Sequence, residues 1–592
     1  LAPTEYGAVQ SDFFERRLRP QLPVEGTILN RLGHVFAASQ IAAICPRCFQ
    51  DLFVRARAAI RSAIATLSNS FADSSSVFHR SICWLSLRKN GSCVLEDAVN
   101  IMKNSTAPRG GNLPAFAIML ALLLSTVAGY SAPFSLLGPG VRTNDFRVTT
   151  FATNLNYPLG MARLADGSLL VAVSDGTDFF SSPGRLIRLV DTNQDGIADG
   201  TGGVLYSGLP SGQTSLRRGG NLVFVTGQGS GKPIIVLRTG ETPGAVLSLV
   251  GQINVNYPVS WYHPHSALLA HDIPGTTNSF YLFFQLGSQF NFDPTTHSAS
   301  ISSANIPGAT GTILGDSIYR LTITDHTNSV TASNLTQIAS GLRNPAGFAF
   351  HPQSGDFYFE DNGIDGLVNP NEPLSADELN VIPAAELGLV PVKFFGFPTN
   401  YIEYRTGRNI GGLGFQPLVA FQPLPNPTTG SESEGPNDIV FAPPRFPNGL
   451  NNGIFVGFHG KFNAGGIANE ENPLVYVDLT TTNYFHFIGN AEPNVGHLDG
   501  LVSTEDSLFI ADLSSNGSLS SGGGRGVIYQ IKSLVLPPVE LRWLGQRVEL
   551  TWTYGILQHA ADVTGPWNDV QGATSPHLVD TDQSQKFFRT RN

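Results

Sequence analysis

Between Asp191 and Asp199, oxygen-bearing residues recur at a spacing that suits a metal ion. Asp191, Asn193, Asp195 and Asp199 occupy the first, third, fifth and ninth positions, Gly196 the sixth, and Ile197 offers its carbonyl at the seventh. Hard oxygens in this order converge on a cation the size of calcium, and the glycine permits the sharp turn. The twelfth position is Gly202 rather than a bidentate glutamate, so the expectation is a calcium-binding half-loop; the alternative is a solvated acidic turn between two strands. A second chemical candidate is the run His263, Pro264, His265. Imidazole titrates near neutral pH and suits a general base. If this run is a strand, His263 and His265 share a face, because alternate residues of a strand do. A histidine stacked in an aromatic core is the non-catalytic alternative. Cys45 and Cys48 have a C-x-x-C spacing, but Cys83 and Cys93 do not supply the second close pair of a four-cysteine zinc site.

These residues need a scaffold, and composition narrows it. The 592 residues include 63 Gly, 39 Pro and 38 Phe but only 3 Met, and 14% are charged. Such a mixture favours many short strands joined by turns over long surface helices. The net charge of −10 speaks against a nucleic-acid surface, which needs basic stripes. From about residue 141 to 533, β-branched and aromatic runs alternate with Gly, Asp and Asn turns in a loose repeat. Five units are visible, beginning near Tyr157, His265, Asn344, Asn437 and His497, and a sixth is expected within 205–250. Each reads strand, turn, strand, loop, strand. Radial repetition of four-stranded units is the β-propeller arrangement, so the prediction is an all-β, six-bladed propeller over 141–533 whose long loops decorate one face.

The segment Gly341, Leu342, Arg343, Asn344, Pro345, followed by Asp377, Glu378, Leu379, Asn380, resembles the glucose/sorbosone dehydrogenase family. Its members are secreted six-bladed propellers that oxidise sugars with pyrroloquinoline quinone and calcium. The resemblance covers about two thirds of the chain. It implies that His265 removes the sugar hydroxyl proton and that Arg343 stabilises negative charge on the reduced quinone. It further implies that Asn344 and Lys461 hold the cofactor and that the main chain at Gly363 and Ile364 binds calcium. Substrate and partners would be a sugar or other alcohol and an external electron acceptor. Two departures stand out. Several residues are inserted before Asp377, and the segment around His497 and Asp499 lacks the arginines that hold the quinone carboxylates in sugar-oxidising members. A catalytically inactive, calcium-stabilised propeller that binds a glycan or a protein is the alternative function.

The flanks differ in kind. All four cysteines and 11 Lys and Arg against 8 Asp and Glu lie within residues 1–101. Met102 opens a segment shaped like a secretory signal peptide. It has Lys103 and Arg109 in a basic region, an apolar run from Ala115 to Val127, and small residues up to Ala132. The apolar run is short for a membrane span of about 20 residues. The expectation is translation from Met102 and a periplasmic or secreted product with no integral span. Residues 1–101 would then be an over-extended reading of the gene; a true N-terminal domain followed by an anchor is the alternative. Beyond Pro537 and Pro538, residues 539–592 alternate large aromatics with polar residues and predict a small β-sandwich-like module.

Overall fold

The computed structural model describes residues 132–592, apart from 294, 366–368, 413–415, 424–425, 427–434, 462–464, 467–472, 491, 522, 536–538, 553–554, 581–585 and 592. The expectations for 1–101, and for 102–132 save its last residue, lie outside the described residues. Among those residues, no helix is long and apolar enough to cross a membrane.

Among the described residues six sheets follow one another along the chain, antiparallel except where Lys393–Phe394 adds in parallel to the outer strand of the third. Blade 1 comprises Met161–Arg163, Leu169–Ser174, Gly184–Leu189 and Gly203–Leu209. Blade 2 comprises Gln213–Gly219, Leu222–Gly227, Ile234–Arg238 and Ser248–Asn256, and is widened by Ser298–Ser302 and Gly311–Leu314. Blade 3 runs through Leu268–Asp272, Ser279–Leu286, Ser317–His326 and Ser329–Ser340, blade 4 through Pro345–Phe350, Phe357–Asp361, Asp377–Ile382 and Val419–Phe421. Blade 5 has Pro436–Phe441, Ile454–Phe458, Leu474–Val477 and Tyr484–Ile488. Blade 6 takes Gly500–Ser503, Ser507–Asp512 and Gly526–Ser533 from the end of the propeller and its outer strand, Phe146–Leu155, from the beginning.

That last pairing closes the ring, because it joins the two ends of the propeller in one sheet. The first strand of every blade packs against the first strand of the next, and blade 6 returns to blade 1, so six first strands surround a central axis. They approach closely. A Cβ at Gly347 of blade 4 would sit 2.8 Å from the Ile439 nitrogen of blade 5, a distance that only glycine tolerates. Across the axis, Arg217 of blade 2 reaches Asp438 of blade 5 at 2.6 Å.

Strand alternation places apolar side chains between blades. Phe348, Phe357, Phe359 and Ile382 of blade 4 pack on Phe283 and Ile318 of blade 3. Burying each such side chain contributes roughly 1.5–3 kcal/mol. The C-terminal residues form two three-stranded sheets. One contains Glu540–Trp543, Arg547–Thr551 and His577–Asp580, the other Ile556–Ala560, Asn568–Asp569 and Phe587–Arg591. Val548, Leu550, Trp552 and Leu557 are the core between them, so the small two-sheet module forms as expected.

Candidate active site

A cavity of about 860 Å³ opens where the chain enters the first strands and where the loops between second and third strands project. Every blade contributes to its wall, which is why residues distant in sequence meet. Blade 3 entry supplies His263, blade 4 entry Arg343 and Asn344, the long blade 4 loop Gly363, Ile364 and Asp365, and blade 5 His459 and Lys461.

The structure separates the two candidate histidines. His265 is absent from the cavity wall and buried. Its Nδ1 lies 2.6 Å from the Tyr257 hydroxyl and its Nε2 2.7 Å from the Lys232 carbonyl. Its ring stacks on Tyr257, and burial pushes its pKa down to about 4. With both nitrogens engaged, it cannot take a proton from a ligand in the cavity; the stacked, non-catalytic alternative describes it. His263 does line the cavity. Its Nδ1 is 2.8 Å from Ser288 Oγ, and burial, with the Arg343 guanidinium nearby, holds its pKa well below the usual value. The reasoning from strand alternation fails here for a physical reason. Residues 257–267 lie outside any strand, so a two-residue period does not govern them.

Arg343 is buried and fully held. Its guanidinium donates to the Asn291 carbonyl at 3.2 Å, to the Asn362 carbonyl at 3.3 Å and to Asp365 Oδ2 at 2.7 Å. The entry turn is set by Asp361, which closes the second strand of blade 4 opposite Pro345. Its carboxylate accepts the Arg343 and Asn344 amides at 2.9 and 2.6 Å. Burial raises its pKa to about 7 against those bonds. Asn344 lines the cavity with a buried Oδ1 that has no hydrogen-bond partner. Gly363 donates its amide to Asp377 Oδ1 at 2.8 Å, and the Ile364 carbonyl accepts the Ser375 amide at 3.0 Å. Burial raises the pKa of Asp377 to about 7.

The opposite wall holds a second imidazole. His459 Nδ1 lies 2.9 and 3.0 Å from the two Asp499 oxygens. Burial alone would lower its pKa, but the Asp499 carboxylate raises it above the ordinary value. The ring stacks on His497 at 4.0 Å, and Lys461 lies two residues further on the same loop. No sequence signal joined His459 to Asp499, since they come from different blades.

The loop at 191–199 is elsewhere. Asp191 accepts the Asp195 and Gly196 amides at 3.2 and 2.9 Å, Asn193 accepts the Asp195 amide at 3.0 Å, and Asp195 accepts the Ile197 amide at 2.9 Å. Asp199 turns back to the Thr192 amide at 2.8 Å, and Thr149 and Arg147 of the closing strand fasten the carbonyls of Gly196 and Gln194. The side-chain oxygens thus cap backbone amides as nested turns. Among the described residues no group of three or more His, Cys, Asp or Glu side chains is arranged to hold a metal ion. The expected convergence of Asp191, Asp195 and Asp199 on calcium is therefore not the arrangement found.

Pyrroloquinoline quinone is flat, with three carboxylates, a pyrrole N–H and an ortho-quinone. The cavity volume suits it, Arg343, Lys461 and His459 offer cationic groups, and the orphaned Asn344 Oδ1 offers an acceptor. The residues fit the group.

No protein-family model matches the chain. An uncharacterized protein of Borreliella burgdorferi is 34% identical over 134 residues, which cover 21% of this chain and 30% of that protein; the chain spans under a third of the curated relative it matches. Three solved structures are similar to it. The pyrroloquinoline quinone-bound aldose sugar dehydrogenase of Streptomyces coelicolor is 18% identical, covering 67% of this chain and 99% of that one, at a TM-score of 0.41. The holo pyrroloquinoline quinone domain of pyranose dehydrogenase from Coprinopsis cinerea is 15% identical, with coverage of 67% and 98% and a TM-score of 0.42. The apo soluble aldose sugar dehydrogenase of Escherichia coli is 14% identical, with coverage of 66% and 99% and a TM-score of 0.41.

Proposed function

We propose that the protein is an exported quinoprotein oxidoreductase. It would oxidise an aldose or other alcohol with pyrroloquinoline quinone, assisted by calcium, and pass the electrons to an external acceptor. The observation that carries this reading is the meeting of His263, Arg343 and Asn344 in one cavity on one face of the propeller. Bound quinone would supply the acceptor for the hydride. His263 takes the hydroxyl proton of the substrate. It is neutral across the working pH range because burial and Arg343 disfavour its charged form. Arg343, immobilised by Asn291 and Asp365, presents a fixed positive charge, and such preorganised charge costs no rearrangement during reaction. Asn344, Lys461 and His459 hold and orient the cofactor. Calcium would use main-chain oxygen at Gly363 and Ile364.

A binding propeller without catalysis is the second reading. It is favoured by Asp365, Asp377 and Asp499, which share the wall with the cations and oppose a trianionic cofactor. The test is titration of the purified protein with pyrroloquinoline quinone and calcium, followed by dye reduction over a panel of aldoses. Quinone binding at micromolar concentration with aldose-dependent turnover supports the oxidoreductase; no quinone binding leaves the binding propeller.

A further inference from the structure

Ser288 lies, buried, between the base and the cation. Its amide donates to the Arg343 carbonyl at 2.7 Å, and its own carbonyl accepts the His263 amide at 3.1 Å. Its Oγ is 2.5 Å from the Phe290 carbonyl oxygen and 2.8 Å from His263 Nδ1. The preceding Gly287 is wedged just as tightly. A Cβ there would lie 2.6 Å from the Arg343 carbonyl oxygen and 2.7 Å from the His263 Cβ.

One proton decides the chemistry. A carbonyl oxygen only accepts, so the short contact with Phe290 places the single hydroxyl hydrogen of Ser288 on that bond. The hydroxyl then has only lone pairs to offer His263, and Nδ1 must carry the hydrogen. A neutral imidazole has one N–H, so Nε2 keeps its lone pair. Among the described residues no protein group is hydrogen-bonded to Nε2 of this cavity-lining ring.

We propose that Ser288 is a positioning residue that locks His263 in the Nδ1–H tautomer and so leaves Nε2 as the proton acceptor of the cavity. Burial beside Arg343 keeps the ring neutral, so the tautomer, rather than the charge, is what needs setting. Without the serine hydroxyl the Nδ1–H loses this acceptor, and the Nε2–H tautomer, which sets a hydrogen where a lone pair is required, gains population. The catalytic consequence rests on the reading of His263 as base; the tautomer does not.

The experiment uses the full chain, labelled with nitrogen-15 in its histidine rings and free of cofactor. Two-bond proton–nitrogen spectra at pH 7 are assigned by the loss of the His263 pattern in His263→Gln. The wild type is expected to show Nδ1 protonated and Nε2 with the shift of an unprotonated ring nitrogen. Ser288→Ala should move the pattern toward Nε2–H, and Ser288→Thr, which keeps the hydroxyl, should restore it. With quinone and aldose, Ser288→Ala should lower kcat by about tenfold while KM changes by less than about twofold. That loss is smaller than the ~10⁴-fold drop when a partner enforces the wrong tautomer. Protonated Nε2 in the wild type overturns the proposal, as does an unchanged tautomer in Ser288→Ala. If the tautomer is as stated and no quinone is reduced, the oxidoreductase reading fails and the role of Ser288 stands.

Discussion

The two ends of the cavity each anchor an imidazole through Nδ1, and the partner decides what the ring becomes. At His263 the partner is a hydroxyl, the ring is buried and Arg343 is near, so its charged form is disfavoured. At His459 the partner is the Asp499 carboxylate, which favours the charged ring. The proposed function uses this difference, taking the ring at His263 as a base and the ring at His459 as a cation. Residue type alone does not assign a role to a histidine; its hydrogen-bond partner and the charge facing it do.

The largest effect expected from breaking this contrast is at the base. His263→Ala should lower turnover by about 10²–10⁴-fold, the usual cost of losing a general base, while quinone affinity measured by titration remains within about threefold. A collapse of quinone binding instead would move His263 from base to cofactor holder.

Next comes the cation. Asp499→Asn leaves His459 without its carboxylate. A raised histidine pKa contributes stability that is fully present below the unfolded value of about 6.5 and is lost as pH rises through the folded value. The pKa of Asp499 is depressed, despite burial, by His459. Its contribution is present above an unfolded value of about 4 and is lost as pH falls below it. The pair therefore stabilises most between about pH 4 and 6.5. Denaturant melts should show Asp499→Asn destabilised by about 2 kcal/mol in that window, with the gap narrowing at pH 8. A gap that widens with pH would remove His459 as a cation.

The smallest effect belongs to the remote loop. Asp195→Ala removes a cap on the Ile197 amide and should cost about 1 kcal/mol. Because the loop oxygens already cap amides, the loss should be the same with and without a chelator. A chelator-dependent loss would restore calcium to this loop.

Much of the scaffold was legible. Turn residues between short apolar runs marked five of the blades, because alternation and turn chemistry are local, and the sixth was expected within 205–250, where much of blade 2 lies. The closing strand Phe146–Leu155 was not, since its partner Gly526–Ser533 lies at the far end of the propeller and no local pattern announces a pairing of that span. At the site, Arg343 and Asn344 came from the family resemblance carried by Gly341 to Pro345, and both line the cavity with Lys461, Gly363 and Ile364. His265 was preferred to His263 through the family resemblance, and strand alternation made His263 only its competitor; the segment carrying them is irregular, so neither ground told which ring faces the cavity. The partnerships of His459 with Asp499, and of Arg343 with Asn291, join different blades. Charge and exposure are properties of the assembled ring, and the sequence carries them only in the list of residue types.

The central claim is that the base facing the cavity is His263 and that the reaction is quinone-linked oxidation. Dye reduction by wild type, His263→Ala and His265→Phe, each loaded with pyrroloquinoline quinone and calcium and normalised to folded protein, tests it most directly. The account predicts aldose-dependent reduction by the wild type, a loss of at least about 10²-fold in His263→Ala, and a far smaller loss in His265→Phe. Turnover that survives in His263→Ala but vanishes in folded His265→Phe would contradict it.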